Sequence, residues 1–417
     1  MTSNVASQRI RQGVGLLRTK PARRALLVLA IASALIVLWL RGASYFTSGW
    51  GSVGSNDYVE YWSAARLLLE GVDPYDPEAM LAMEESAGMP GPDPILMWNP
   101  PWTLAVVLPL ALLPFGLASA AWLLLQLALI LGCGAVLWRY FAPDDDRHWI
   151  GLLLAATFVP GLLALRMGQI SPWLLLGVTG FLWAQRDRRD LLAGISLALL
   201  LIKPHVTYLF LLAALWWAWR NRRWKVLIGW LAALIGASLI VSLVSPGVFP
   251  HYLRAATGPP LYWAPPTIGT WLRLLLGPER GWLQFLPPLV GGLALAAWLW
   301  RRRGSWCWED VTGPLLLASS VTAAYGWSYD QLVLLPAVVA LVSRLRFVSQ
   351  SRRLTILALL AITQCLLVAM NRFRFGDEFF IWYPLVLAGL YWWGAIRGQE
   401  HRKTIPLEVA LEAHTDR

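Results

Sequence analysis

Apolar runs as long as a bilayer's hydrocarbon core recur in this chain from about residue 25 to about residue 396, and nothing else in the sequence limits the fold so strongly. A helical span needs roughly 17–25 predominantly apolar residues, because peptide groups in lipid must be hydrogen-bonded within their own helix. Spans are expected at 25–40, 117–138, 149–165, 172–185, 190–202, 205–219, 226–244, 282–300, 312–326, 329–343, 354–370 and 379–396. Counted this way the chain is an all-α polytopic membrane protein of about twelve transmembrane helices. With 57% hydrophobic and 14% charged residues, it lies well outside the range of soluble domains.

Residues 1–24 form a basic segment, 25–396 a single transmembrane domain with long loops at 41–116 and 245–281, and 397–417 a polar tail. The run 25–40 is long and lacks a small-residue cleavage site, so it reads as a retained signal-anchor. Basic residues cluster in alternate connections: Arg139 and Arg147; Arg186, Arg188 and Arg189; Arg220 to Lys225; Arg301 to Arg303; Arg344 to Arg353; Arg397 to Lys403. Cytoplasmic loops carry the excess of Lys and Arg, so both termini are expected in the cytoplasm of a multi-pass protein of the plasma (cytoplasmic) membrane. The net charge of +11 is thereby an orientation signal, and nucleic-acid binding has no support. Most of the 26 tryptophans lie near Arg clusters and are expected to anchor at headgroup level, a few being left to stack on sugars. Cys133, Cys307 and Cys365 are scattered, with neither metal-ligand nor disulfide spacing.

The first outer loop is acidic. It opens with Asp57 ahead of a short helix in which Val59, Trp62 and Leu69 recur at helical spacing while Glu60, Ser63 and Glu70 fall elsewhere. Gly71 ends that helix, and Asp73-Pro74-Tyr75 reads as a turn. An amphipathic helix of this kind is expected in the membrane interface, where it can hold a carboxylate at the lipid–water boundary. The apolar piece Thr103 to Leu113, stopped by Pro114, is too short to span. The second outer loop is dense in Pro and aromatics (Pro259-Pro260-Leu261-Tyr262-Trp263-Ala264-Pro265-Pro266), so it is expected as a loop or lid with at most one interfacial turn.

Ionisable residues gather at the outward ends of the spans, where each costs about 2.5–3.5 kcal/mol to insert and usually marks a pocket. Lys203, after the apolar Leu197 to Ile202 and before Pro204, either snorkels to the interface or binds a phosphate. Arg166 has the same two readings, His205 is a weaker candidate, and Asp57 is either a general base or a helix N-cap. Tyr61, Gln169, His251, Tyr329, Asp330 and Arg372 are further candidates for substrate contact. Asp144-Asp145-Asp146 beside Arg147 reads as a solvated inner loop. No Gly-rich phosphate loop and no Ser-His-Asp arrangement occurs.

Several segments in order resemble glycosyltransferase family 87: Asp57-Tyr58 to Ala65 with Leu69-Glu70-Gly71-Val72-Asp73-Pro74-Tyr75; Asn99-Pro100-Pro101; Gly168-Gln169-Ile170-Ser171-Pro172-Trp173; Ile202-Lys203-Pro204; and Tyr325-Gly326-Trp327-Ser328-Tyr329-Asp330. The resemblance extends over roughly residues 25–395. It implies a GT-C-type helical bundle with interfacial helices in the first outer loop, working as a polyprenol-phosphate-mannose-dependent hexosyltransferase at the outer face of the cell envelope. The implied donor is a polyprenyl-monophosphate sugar and the acceptor a lipid or glycan. Asp57 would be the base of an inverting transfer, with Lys203, helped by Arg166 or His205, on the leaving phosphate. Membrane lipids are the other expected partners; the chain is expected to be monomeric, without cofactor or obligatory metal. A transporter or flippase is the alternative, although no internal repeat is visible and the charges gather at one face. A lipid-linked polymer ligase or noncatalytic assembly subunit is a third reading.

Overall fold

The computed structural model describes residues 56–403 apart from 90, 258, 259 and 261; the basic segment 1–24, the run 25–40 and the end of the tail, 404–417, lie outside the described residues. All regular structure among the described residues is helical.

The acidic first loop supplies α1 (Asn56–Leu69) and α2 (Pro77–Ser86). Gly71, at φ +73°, turns the chain out of α1, and the Tyr75 amide donates to Asp73 Oδ1 at 2.9 Å to make the expected turn. A 3-10 turn at Pro101–Thr103 leads into the short α3 (Leu104–Ala111), and α4 (Phe115–Phe141) follows Pro114. Next come α5 (Trp149–Thr157) and α6 (Val159–Met167), bent against each other by 59°. Pro160 in the first turn of α6 marks the break, and the Val159 amide it exposes donates to Gln364 Oε1 at 2.9 Å. The chain continues through α7 (Ser171–Arg186), α8 (Asp190–Ala198), α9 (Tyr208–Arg220) and α10 (Trp224–Val244). Between α8 and α9, 3-10 turns at Leu199–Ile202 and Pro204–Val206 flank Lys203.

The proline-rich loop holds two short helices, α11 (Val248–Ala255) and α12 (Ile268–Leu276), where at most one turn was expected. α11 carries Pro250 within its first turn, where the missing amide breaks no helical hydrogen bond, and α12 begins after the last of the clustered prolines, Pro266. The last third consists of α13 (Leu286–Arg302), α14 (Trp308–Thr322), α15 (Leu335–Arg344), α16 (Gln350–Arg372) and α17 (Trp382–Lys403). The final helix runs through 397–403, which the sequence reading assigned to the tail.

Among the described residues, four helices are long and apolar enough to cross a bilayer: α4, α10, the run Gly281–Arg302 that includes α13, and α16; the bent pair α5–α6 makes a fifth if taken as one span. The expected span 379–396 falls in the 22-residue α17, and several others are shorter helices. The run 190–202 is α8 plus a 3-10 turn, 312–326 is mostly α14, and 329–343 is a 3-10 turn leading into α15.

The first-loop helix departs from the amphipathic picture. In α1, Glu60 and Ser63 are as buried as Val59 and Trp62, because α2, α3 and α4 cover it on several sides. Deeper in the bundle α8 packs on α7 and α10. Gly194 and Gly229 permit the α8–α10 approach, since a Cβ on Gly194 would strike the Val226 carbonyl and one on Gly229 the Leu191 carbonyl.

Candidate functional site

Five helix ends and breaks converge on one polar cluster. Asp57 lies in the first turn of α1 and Ser171 opens α7. Gln169 falls in the gap between α6 and α7, where Gly168 at φ +72° reverses the chain in a left-handed conformation that glycine adopts without strain. Lys203 separates the two 3-10 turns after α8, and Asp330 starts the turn before α15. Broken backbone is tolerated at membrane depth where protein or a cavity surrounds it, and such breaks aim side chains inward.

Gln169 is the hub. Its Nε2 donates to Asp57 Oδ2 at 2.5 Å, while its Oε1 accepts from Lys203 Nζ at 2.7 Å and from the Tyr61 hydroxyl at 3.1 Å. With two donors on the oxygen and an acceptor on the nitrogen, only one orientation of the amide satisfies all three partners. The Gln169 carbonyl accepts from Gln126 Nε2 at 3.0 Å, and the Trp122 indole donates to the Gly168 carbonyl at 2.8 Å, so the turn itself is pinned to α4.

Lys203 is 8% exposed and Asp330 only 2%. They pair at 3.0 Å through Oδ1, which also accepts from Ser171 Oγ at 2.5 Å, while Oδ2 accepts from the Trp327 amide at 3.0 Å. The ammonium group lies 5.1 Å from the centre of the Tyr329 ring. Such a pair holds geometry more than it adds stability, since taking both charges out of water costs nearly what their attraction returns. Gln169 and Asp330 account for two of the three ammonium hydrogens.

The Asn99-Pro100-Pro101 segment fixes Lys203 from behind. Asn99 Nδ2 donates to the Ile202 carbonyl at 3.1 Å, and Trp102 Nε1 to the Leu201 carbonyl at 3.0 Å. Those carbonyls belong to the helix end that Pro204 prevents from continuing, so the side chains replace the lost helical donors.

Asp57 is half-buried. Burial holds its carboxyl above the ordinary aspartate range, although the Gln169 hydrogen bond and the Lys203 charge pull the other way. Glu60, one turn further along α1, is 7% exposed. Burial first, and then the neighbouring Asp57, push Glu60 well above the usual glutamate range. Asp377 accepts from the Ser328 amide at 3.0 Å and is raised to about 6 by burial. An uplifted carboxyl beside a cation can take a proton at near-neutral pH.

The structure gathers Asp57, Tyr61, Gln169, Lys203, Tyr329 and Asp330 from the sequence candidates. Arg166 is exposed and donates to Asn371 on α16 at 2.6 Å, outside the cluster's hydrogen bonds. His251 instead meets Asp73 at 3.2 Å in the outer loops, Arg372 is exposed at the end of α16, and His205 packs edge-on against Tyr325 at 6.3 Å. Sequence reasoning missed Glu60, placed off the apolar stripe, and gave Ser171 and Trp98 no role. The only hint of Glu60 in the sequence is its spacing of three from Asp57. Among the described residues no group of three His, Cys, Asp or Glu is placed to hold a metal ion.

The family model of glycosyltransferase family 87 matches residues 98–309, just over half of the chain. The matched stretch carries Asn99, Gln169, Ser171 and Lys203; Asp57 and Asp330 lie outside it. No curated protein and no solved structure matches the chain.

Proposed function

The chain belongs to glycosyltransferase family 87, and from that premise we propose that it is a membrane hexosyltransferase drawing on a polyprenyl-monophosphate sugar, with mannose as the sugar. The observation that carries this reading is the relay Asp57–Gln169–Lys203, in which one amide holds a proton acceptor and a cation on its two ends at 2.5 and 2.7 Å. Asp57 takes the proton of an acceptor hydroxyl on a lipid or glycan. The hydroxyl oxygen attacks the anomeric carbon from the face opposite the phosphate, the bond from that carbon to the phosphate oxygen breaks, and the configuration inverts. The electron pair leaves with the polyprenyl phosphate, towards the remaining ammonium hydrogen of Lys203.

The magnitudes are reasonable. A positioned base contributes about 10²–10⁴-fold, and a preorganised cation facing developing negative charge adds to it. Asp330 holds the Lys203 ammonium group in place through their 3.0 Å contact. A monophosphate leaving group needs less neutralisation than a pyrophosphate, so the reaction as proposed has no obligatory metal. Arg166 is bonded to Asn371, and we therefore give it no part in holding the donor phosphate.

The same proposal places the cluster at the outer face of the plasma membrane, in a monomer of about twelve spans with both termini inside. The distribution of Arg and Lys supports that orientation. The purified protein, given labelled polyprenyl-phosphate mannose and a membrane-lipid extract, should release polyprenyl phosphate and yield a mannosylated product identifiable by mass. Movement of solute across proteoliposomes with no such product would favour a carrier.

A further inference from the structure

The aromatic residues around the cluster fall into three populations. One is core: Trp122 is 1% and Trp308 3% exposed. A second stands singly on the outside, as do Trp300 and Trp392 at 75% and 72%, which suits headgroup anchoring. The third is different. Trp98, Trp263, Tyr325, Trp327 and Tyr329 are each half-exposed, yet they touch one another although they come from three separate segments.

Trp263, from the proline-rich loop, joins the rest. Its ring centre lies 5.1 Å from Trp98, 5.9 Å from Tyr325 and 5.8 Å from Trp327, with interplanar angles of 75°, 84° and 74°. Trp327 in turn stacks on Tyr329 at 6.5 Å, and Tyr329 is the ring beneath Lys203. The rings therefore run continuously from Trp98 to the residue that carries the cation. Buried Arg273, 5% exposed, donates through Nη2 to the Trp263 carbonyl and fixes the loop there.

Half-exposed rings also touch elsewhere, as Trp298 and Trp306 do at 4.9 Å; this set differs in bordering the polar cluster, through Tyr329 beside Lys203 and the Trp327 amide on Asp330. A contiguous, half-open set beside convergent polar groups is the make-up of a ligand site. Aromatic faces match the C–H face of a pyranose, while its hydroxyls are left for polar groups at the border.

We propose that Trp98, Trp263, Tyr325, Trp327 and Tyr329 form a saccharide subsite that holds pyranose residues of the acceptor, so that the acceptor is a glycan or a glycan-bearing lipid and not a bare lipid alcohol. This rests on the transferase reading of the Asp57 cluster, and it can fail separately from it. The subsite contributes to binding. The proton transfer and the departure of phosphate stay with Asp57 and Lys203.

The test is calorimetric titration of the full chain in detergent with mannotetraose, with maltotetraose as a second hexose probe, and separately with decaprenyl phosphate. Trp263→Ala should weaken tetrasaccharide binding by about tenfold or more, a loss of about 1.4 kcal/mol or more, and leave decaprenyl phosphate binding unchanged. Trp263→Phe should fall between. Trp327→Leu keeps the amide that bonds Asp330 and should repeat the loss should Trp263→Ala fail to fold. Unchanged tetrasaccharide affinity in the folded Trp263 and Trp327 variants overturns the subsite, as does failure of the unaltered protein to bind either tetrasaccharide at millimolar concentration. Persistence of sugar transfer in Asp57→Asn, with saccharide binding still lost in Trp263→Ala, would instead remove the role given to Asp57 and leave the subsite standing.

Discussion

Gln169→Glu changes one atom of the hub and gives the sharpest test of the relay. In the native cluster Nε2 is 2.5 Å from Asp57 Oδ2, so the new carboxylate oxygen would face Asp57 at hydrogen-bonding distance. The charge centres of two carboxylates so placed are about 4 Å apart, and at an effective dielectric of 20 their repulsion is about 4 kcal/mol. That equals about three pKa units. Lys203, already 2.7 Å from the other oxygen of this side chain, attracts the added charge and offsets part of the repulsion. The two acids then share one proton and titrate as a pair. Because a base works only when ionised, activity in the native protein should fall, on the proposed role, as pH drops through the raised pKa of Asp57. In Gln169→Glu that acid limb should move to higher pH by about one to two units, with much of the rate recovered above it. The assay is the pH dependence of kcat/KM for release of polyprenyl phosphate. An active variant whose acid limb stays where it is in the native protein, or one equally depressed at every pH, would refute the coupling.

Two further expectations concern stability. Asp330→Ala leaves Lys203 buried without its carboxylate and should cost about 3–5 kcal/mol, whereas the double change Lys203→Met with Asp330→Leu should cost less than Asp330→Ala alone; thermal unfolding in detergent would show it, and a double variant less stable than the single one contradicts the pairing argument. Glu84 accepts from the Ile95 amide at 3.1 Å, and burial lifts its carboxyl from 4.5 to about 7. The folded state therefore holds this proton more tightly than the unfolded state, so its share of stability is complete below pH 4.5 and is lost as pH rises through about 7. Glu84→Gln should flatten that part of the stability–pH curve, and an unaltered slope would contradict the assignment.

How much was legible beforehand follows from what each residue depends on. Asp57, Lys203 and Asp330 stood out because a charge beside apolar runs needs a reason. Gln169 was named only as a candidate for substrate contact; its place as the hub was not legible, because it is neutral and that role comes from three contacts with residues 34 to 112 positions away. Arg166 carried the same charge signal as Lys203 but sits on the last turn of α6, where the helix rotates it towards Asn371. Glu60 looked solvent-facing on a helical wheel, which assumes one covered side; α1 is covered by α2, α3 and α4 together. Apolar length located the helices, but Phe158-Val159-Pro160, Gly168 and Lys203-Pro204 divide the runs into pieces whose bends no count of apolar residues contains. Those divisions are where the cluster forms.

The central claim is that Asp57 takes a proton during sugar transfer from a polyprenyl phosphate. Replacing it by Asn keeps the shape of the side chain and removes the base. With labelled polyprenyl-phosphate mannose and a membrane-lipid extract, Asp57→Asn should bind decaprenyl phosphate as the unaltered protein does and release polyprenyl phosphate about 10²–10⁴-fold more slowly. Release at the unaltered rate from this variant would contradict the account.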